Sequence, residues 1–216
     1  VCSSDLFTTT AQQGKELIDI AKRKGLMLSV FQNRRLDSDF LTVKQIIDYE
    51  ALGRLVEFES TFSRYRNFIK PDTWKEIGKS GEGLIYNLGS HVIDQALQLF
   101  GMPEAIFADI ATLRSNGNVD DYFIIHLLHP ANAPEVKITL KSSYLMCEAE
   151  PRFVLHGTEG SYIKYGVDRQ ESDLTAGLTP YSPHWGEEDE SSWGLLHTEK
   201  DGSVIKGKYP SVPGNY

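Results

Sequence analysis

The sequence predicts an α+β domain with an open, mostly antiparallel sheet and its long helices on one face, preceded by one helix–strand unit of parallel α/β type. Three observations predict it. "TAQQGKELIDIAKRKG" at 10–25 has a helical pattern and is followed at once by the fully apolar run "LMLSVF" at 26–31, the order of a buried α/β unit. "GLIYNLGSHVIDQALQLFG" at 83–101 has the length and apolar content of a buried helix. From 104 onward, short apolar segments recur between turn signals, as in a sheet of hairpins.

In the first helix, Thr10 and Gln13 have the spacing of a capping box. Leu17, Ile18 and Ala21 form an apolar stripe, Lys22–Lys24 suit the negative C-terminal end, and Gly25 stops it. Residues 26–31 read as a buried strand. A second helix is expected over about 38–52, capped by Ser38, with Phe40, Val43 and Ile47 on one face and Gly53 at its end. "RLVEFESTFSRY" alternates, with Val56, Phe58 and Phe62 on one side and Glu57, Glu59, Thr61 and Ser63 on the other. That predicts a half-buried antiparallel strand. Further strands follow at about 104–113, 121–128, 135–145, 151–156 and 161–165, with "HGTEGSY" as a turn. Residues 166–216 are rich in Gly, Pro, Ser and acids and hold two short strands, 193–198 and 203–208.

The bulk composition narrows the function classes. The 216 residues are 40% hydrophobic and carry a net charge of −8, so nucleic acid and anionic membrane are poor partners. No apolar run approaches the roughly 20 residues of a membrane span. Two cysteines make no disulfide framework, which fits a reducing cytoplasm. Cys147 reads as a small apolar strand residue.

The helix at 83–101 carries Asn87, His91 and Asp94. At 100° per residue they fall within roughly a 60° arc. A buried polar stripe needs partners or a water-filled cleft. His91 can take or give a proton near neutrality, and Asp94, one turn on, could hold its ring. The alternative is a core histidine satisfied by an acid, or a solvated face. Glycines at 81, 83 and 89 let other backbone or a ligand approach.

"GLIYNLGSHVIDQALQLFG" resembles the G-x-L-x-D-x-G-x-H-x-x-D signature of the Gfo/Idh/MocA family of NAD(P)-dependent oxidoreductases. "LSVFQNRRLDSDFLTVKQII" is similar to that family's passage out of its Rossmann domain, "FVLHGTEGSYIKYG" to its turns, and "DRQESDLTAGLTP…HWG" to the subgroup of scyllo-inositol dehydrogenases. The resemblance implies a Rossmann domain for NADP or NAD, followed by an α+β domain with the substrate pocket and an open sheet for oligomerisation. It implies hydride transfer between the cofactor and a sugar or polyol, inositol-like, with His91 as general acid/base. Asn87 and Asp94 fall on the signature's two Asp positions, so Asn87 is a departure: it bonds a hydroxyl but carries no charge.

A second departure lies at the start. Where the family has a Glu-Lys-Pro motif, the chain reads "SDL", with Asp5 in place of the lysine. "VCSSDL" resembles the translation of a sequencing-adaptor end. Residues 1–6 are therefore expected to be non-native, 7–32 to be a Rossmann remnant, and 33–216 to be a substrate-binding and oligomerisation domain cut short at its C-terminus. Without a G-x-G-x-x-G cradle the isolated chain is expected to be inactive.

Arg34 and Arg35 could reach cofactor or substrate oxygens, or form an interdomain ion pair. Trp185 could cover the nicotinamide end of the cleft or pack in a loop. Tyr65, Arg66 and Trp74 are candidates for the polar wall of the substrate pocket. His126 and His129 lack companions at metal-ligand spacing, and no metal is expected. The competing reading is a non-catalytic relative that binds a sugar or a partner protein through the same sheet; Asn87 is the feature that supports it.

Overall fold

The computed structural model describes residues 7–71, 73, 76–78 and 80–216. Residues 1–6 and Trp74, both subjects of expectations above, lie outside the described residues.

Helix α1 (Ala11–Lys24) begins with the capping box. The Thr10 hydroxyl accepts from the Gln13 amide and the Gln13 side chain accepts from the Thr10 amide, each at 3.2 Å. Gly25 ends it at φ +62°, where a side chain would be strained. Residues 26–31 do not form the expected strand. A strand is held by its ladder, and none of the eight strands lies beside this segment. Met27 and Phe31 are 96% and 61% exposed, and Leu17 and Ile18 of α1 are uncovered too.

A 3₁₀ turn (Asn33–Leu36) leads into α2 (Ser38–Asp48). Asp37, not Ser38, is the residue before its first turn, and the Ser38 amide donates to Asp168 at 2.7 Å. A carboxylate 130 positions away thus satisfies a helix-end donor. Phe40, Val43 and Ile46 bury one face of α2.

The sheet has eight strands: β1 (Leu55–Thr61), β2 (Pro103–Ala111), β3 (Tyr122–Pro130), β4 (Lys137–Ser143), β5 (Phe153–Gly157), β6 (Gly160–Lys164), β7 (Gly194–Lys200) and β8 (Ser203–Tyr209). Their order is β2-β3-β4-β1-β5-β6-β7-β8. The fold expectation holds: the sheet is open and antiparallel at every pairing but one. The exception corrects the reading of β1, which runs parallel to β4 and antiparallel to β5. An irregularity between Leu55 and Glu57 shifts its register, which leaves Val56 exposed while Phe58 and Phe62 are buried.

One face of the sheet is covered. Phe58, Phe123, Ile125, Ile138, Leu140, Phe153, Leu155 and Tyr162 pack in one core with α2 and with Leu84, Leu88, Val92, Ala96 and Phe100 of the next helix. The Phe58 ring meets Phe100 edge-on at 5.0 Å. That helix is not uniformly α. A π-helical turn (Ile85–Gly89) opens it before α3 (Ser90–Phe100). A short helix α4 (Gln170–Thr175), absent from the sequence reading, lies in the Gly- and acid-rich tail. Cys147 is exposed and outside every strand.

Candidate functional site

The π turn opens the helix at the position where the polar stripe begins. Its first amides are held by Asp120: the backbone oxygen accepts from Leu84 at 2.9 Å and the side chain from Ile85 at 2.7 Å. Gly83 sits at φ +91°, and a Cβ there would lie 2.2 Å from Asp120 Oδ1, so glycine is required on both counts. Single π turns extend the helical repeat locally and recur at functional sites. Burial raises the Asp120 pKa, against the amides that pull it down.

Asn87 and His91 line a cavity of about 380 Å³. His91 is 3% exposed. The Asn87 amide donates to the Tyr144 hydroxyl at 3.2 Å, which leaves the phenolic proton available to a ligand oxygen. The other walls come from far apart in the chain: Arg34 from the 3₁₀ turn, Arg64 and Arg66 just past β1, Lys70, Thr73 and Glu76 beyond them, and Glu171 from α4.

Behind this wall, Arg114 is almost sealed, with a side chain 1% exposed. It donates to Asp121 at 2.8 Å, to both Glu76 oxygens at 2.8 and 3.2 Å, and to the Phe68 carbonyl at 2.8 Å. Its guanidinium also lies 4.8 Å from the Tyr144 ring centroid. Burial works against its charge, but the bonds to Glu76 and Asp121 outweigh that and raise its pKa.

Arg34 is likewise committed. It pairs with Asp37 at 3.1 Å and with Glu171, and it lies over the Phe62 ring at 4.9 Å. Burial lowers its pKa, while Asp37, Tyr216 and Glu171 raise it further than burial lowers it. Asp37 shares its neighbourhood with Asp39 and Asp168. Burial first, and then these like charges, push it up to about 8 against the pull of Arg34 and of the bond from Tyr216. Gln95 ties α3 to this region: it donates to the Arg34 carbonyl at 2.8 Å and accepts from Arg152 at 2.7 Å.

The remaining expected site residues fall elsewhere. Asp94 does not orient His91. Its carboxylate is gripped by Arg35 in a two-pronged pair at 2.6 and 2.7 Å, and neither residue lines the cavity. A guanidinium within reach of the carboxylate accounts for this. Tyr65 faces a different crevice with Met146 and Cys147. Trp185 is half-buried and also outside the cavity. Of the predicted set, the structure brings together His91, Asn87, Arg34 and Arg66.

Sequence reasoning missed Arg64, Tyr144, Glu171 and Arg114. Arg64 was within reach. In "SRYR" the two-residue period puts Arg64 and Arg66 on one side and Tyr65 on the other, as observed; their amides donate to the Ser143 and Tyr144 carbonyls.

The described residues do not fit a dinucleotide. Arg34 and Arg35 are taken by carboxylates, Trp185 is away from the cavity, and the sequence holds no G-x-G-x-x-G. What they do offer is an imidazole, an amide and a phenol around one cavity with basic walls.

The profile of the GFO/IDH/MocA C-terminal domain matches residues 40–163. The chain is 41% identical over 221 residues to a Schizosaccharomyces pombe protein named uncharacterized oxidoreductase C115.03, covering 97% of this chain and 60% of that one. It is 37% identical over 210 residues to the Bacillus subtilis scyllo-inositol 2-dehydrogenase (NADP(+)) IolW, covering 97% and 57%. Among solved structures, a Bacteroides fragilis protein described as a "putative oxidoreductase" matches at 66% identity and a TM-score of 0.87, covering 97% of this chain and 58% of that one. The chain thus spans about 60% or less of the length of these relatives.

Proposed function

Because the chain belongs to the Gfo/Idh/MocA family of oxidoreductases, we propose that it forms the substrate half of an NAD(P)-dependent dehydrogenase acting on a sugar or polyol. The observation that carries this reading is the convergence of His91, Asn87 and Tyr144 on one cavity of substrate size. A nicotinamide dinucleotide, when bound beside this cavity, would supply or accept the hydride at the carbinol or ketone carbon. His91 exchanges the proton on that carbon's oxygen. Asn87 and Tyr144 hydrogen-bond neighbouring hydroxyls and fix the ring's orientation. The name of the Bacillus subtilis relative supports an inositol-like substrate and NADP. The NAD(P) dependence rests on the family and on that name.

Two further parts of the proposal rest on the fold. The uncovered sheet face carries Phe107, Leu128, Leu195 and Val204, all exposed, and we assign it to a homo-oligomer interface. No helix is long and apolar enough to cross a membrane among the described residues, and a cytoplasmic enzyme is consistent with the cysteine usage.

The test uses the complete polypeptide encoded by the gene. NADPH-dependent ketone reduction is expected to fall at least about 100-fold in His91→Ala, with the circular dichroism spectrum unchanged. Unchanged turnover in that variant refutes the proton-transfer role. Sugar binding with no turnover in the unmodified protein would instead support the non-catalytic relative, for which neutral Asn87 is the favouring feature.

A further inference from the structure

We propose that the sugar or polyol carries an oxyanion, a carboxylate or a phosphate, bound by Arg64, Arg66 and Lys70. This rests on the cavity of His91 being the substrate site.

The cations around that cavity fall into two groups. Arg34 and Arg114 are engaged by built-in acids: Glu171, with Asp37 hydrogen-bonded beside it, for the first, Glu76 and Asp121 for the second. These pairs use both carboxylates of the cavity wall, Glu76 and Glu171. Arg64, Arg66 and Lys70 also line the wall, and among the described residues none of them has an ion-pair partner. Among the described residues of the wall, four cations therefore face two acids, 4 − 2 = +2, and both acids are already engaged. The protein as a whole is at −8, so this positive concavity stands against its surroundings. A cleft of one sign concentrates ligands of the other.

The arrangement is also ordered. Strand periodicity places Arg64 and Arg66 on the same side. Their guanidiniums lie 5.8 and 5.1 Å from the Tyr144 ring centroid, with Arg114 at 4.8 Å. Arg64 is half-buried. Burial lowers its pKa, Tyr144 opposes this, and Arg66 and Arg34 lower it further. A crowded guanidinium of this kind gains from an incoming negative charge. The planar fork of arginine matches the two oxygens of a carboxylate or phosphate. Tyr144 joins the two ends of the site, since its hydroxyl accepts from Asn87 and its ring carries the guanidiniums. A ligand held by its oxyanion at Arg64 and Arg66 presents its hydroxyls to Asn87 and His91.

A dinucleotide phosphate has the same chemistry, so both sources enter the test. Calorimetric titration of the complete polypeptide compares D-glucuronate and D-glucose 6-phosphate with D-glucose and with NADP⁺. At least one anionic sugar is expected to bind about tenfold or more tighter than glucose, and to weaken as salt rises. Arg66→Gln and Lys70→Gln are each expected to weaken that binding about tenfold, Arg66→Lys less so, with NADP⁺ binding unchanged. Lys70 is exposed, so its variant keeps the test open should Arg66→Gln misfold. The proposal is overturned if glucose binds as well as the anions, or if neither anion binds at about 10 mM. It is equally overturned if the variants weaken NADP⁺ instead of the sugars. Turnover of a neutral polyol that depends on His91 would keep the dehydrogenase reading while removing this one.

Discussion

Replacing Arg114 by Met removes the cation that holds the back wall of the cavity while keeping most of the side-chain volume. Asp121, fully buried, retains two donors, the amides of Leu113 at 2.7 Å and of residue 114 at 3.0 Å. Glu76 is 7% exposed and loses the guanidinium that serves both of its oxygens; the Phe68 carbonyl loses its donor as well. Breaking a buried pair from one side costs about 3–5 kcal/mol. The amides that remain on Asp121 place the expectation near the lower end, about 3 kcal/mol. With a urea m-value of about 2 kcal/mol/M, the unfolding midpoint drops by about 1.5 M. Adding Glu76→Gln removes the stranded charge and is expected to restore about 1–2 kcal/mol. A midpoint shift below about 0.5 M at unchanged m would refute the reasoning, because it would mean that Glu76 and Asp121 tolerate burial without the cation.

Gly83→Ala is expected to destabilise by about 1–3 kcal/mol, since its Cβ would meet Asp120 at φ +91°; hydrogen exchange of the Ile85 amide, which Asp120 caps, should accelerate with it, and unchanged protection would contradict the capping role. Asp37 predicts a pH dependence: a carboxyl raised from an unfolded value near 4 to about 8 stabilises the fold fully below the lower value and loses that contribution as pH rises through the higher one. The slope is at most about 1.4 kcal/mol per pH unit, and Asp37→Asn should flatten it in urea titrations between pH 5 and 8. Asp94→Asn should cost less than about 1 kcal/mol, because its partner Arg35 is 43% exposed; a large loss of turnover in that variant would restore Asp94 to the site.

How much of this was legible depended on the range of the interaction. The Thr10–Gln13 box, the Gly25 stop and the hairpins β5–β6 and β7–β8 are local, and their residues announce them. The order of the strands is not local. β1 lies between β4 and β5, with parallel pairing on one side only, and alternation within β1 carries no information about its neighbours. Residues 26–31 show the converse: an apolar run specifies a preference, but a strand also needs a neighbour to complete its ladder. In the site, His91 and Asn87 were readable from one helix. The partner of Asp94 was not, because helical spacing pointed to His91 while Arg35, 59 positions away, makes the stronger bond. Arg114 and Tyr144 were invisible for the same reason, since their roles arise only when distant segments meet.

The most direct test of the central claim follows the ring of His91 itself. In the complete polypeptide, with the six histidines labelled with ¹⁵N, a panel of hexoses, hexuronates and inositols is titrated in turn. For a ligand that binds, the imidazole signals of His91 are expected to shift and saturate, while those of His156 and His197, on the opposite face of the sheet, stay in place. A ligand that binds and is turned over while leaving the His91 signals unmoved would contradict the account.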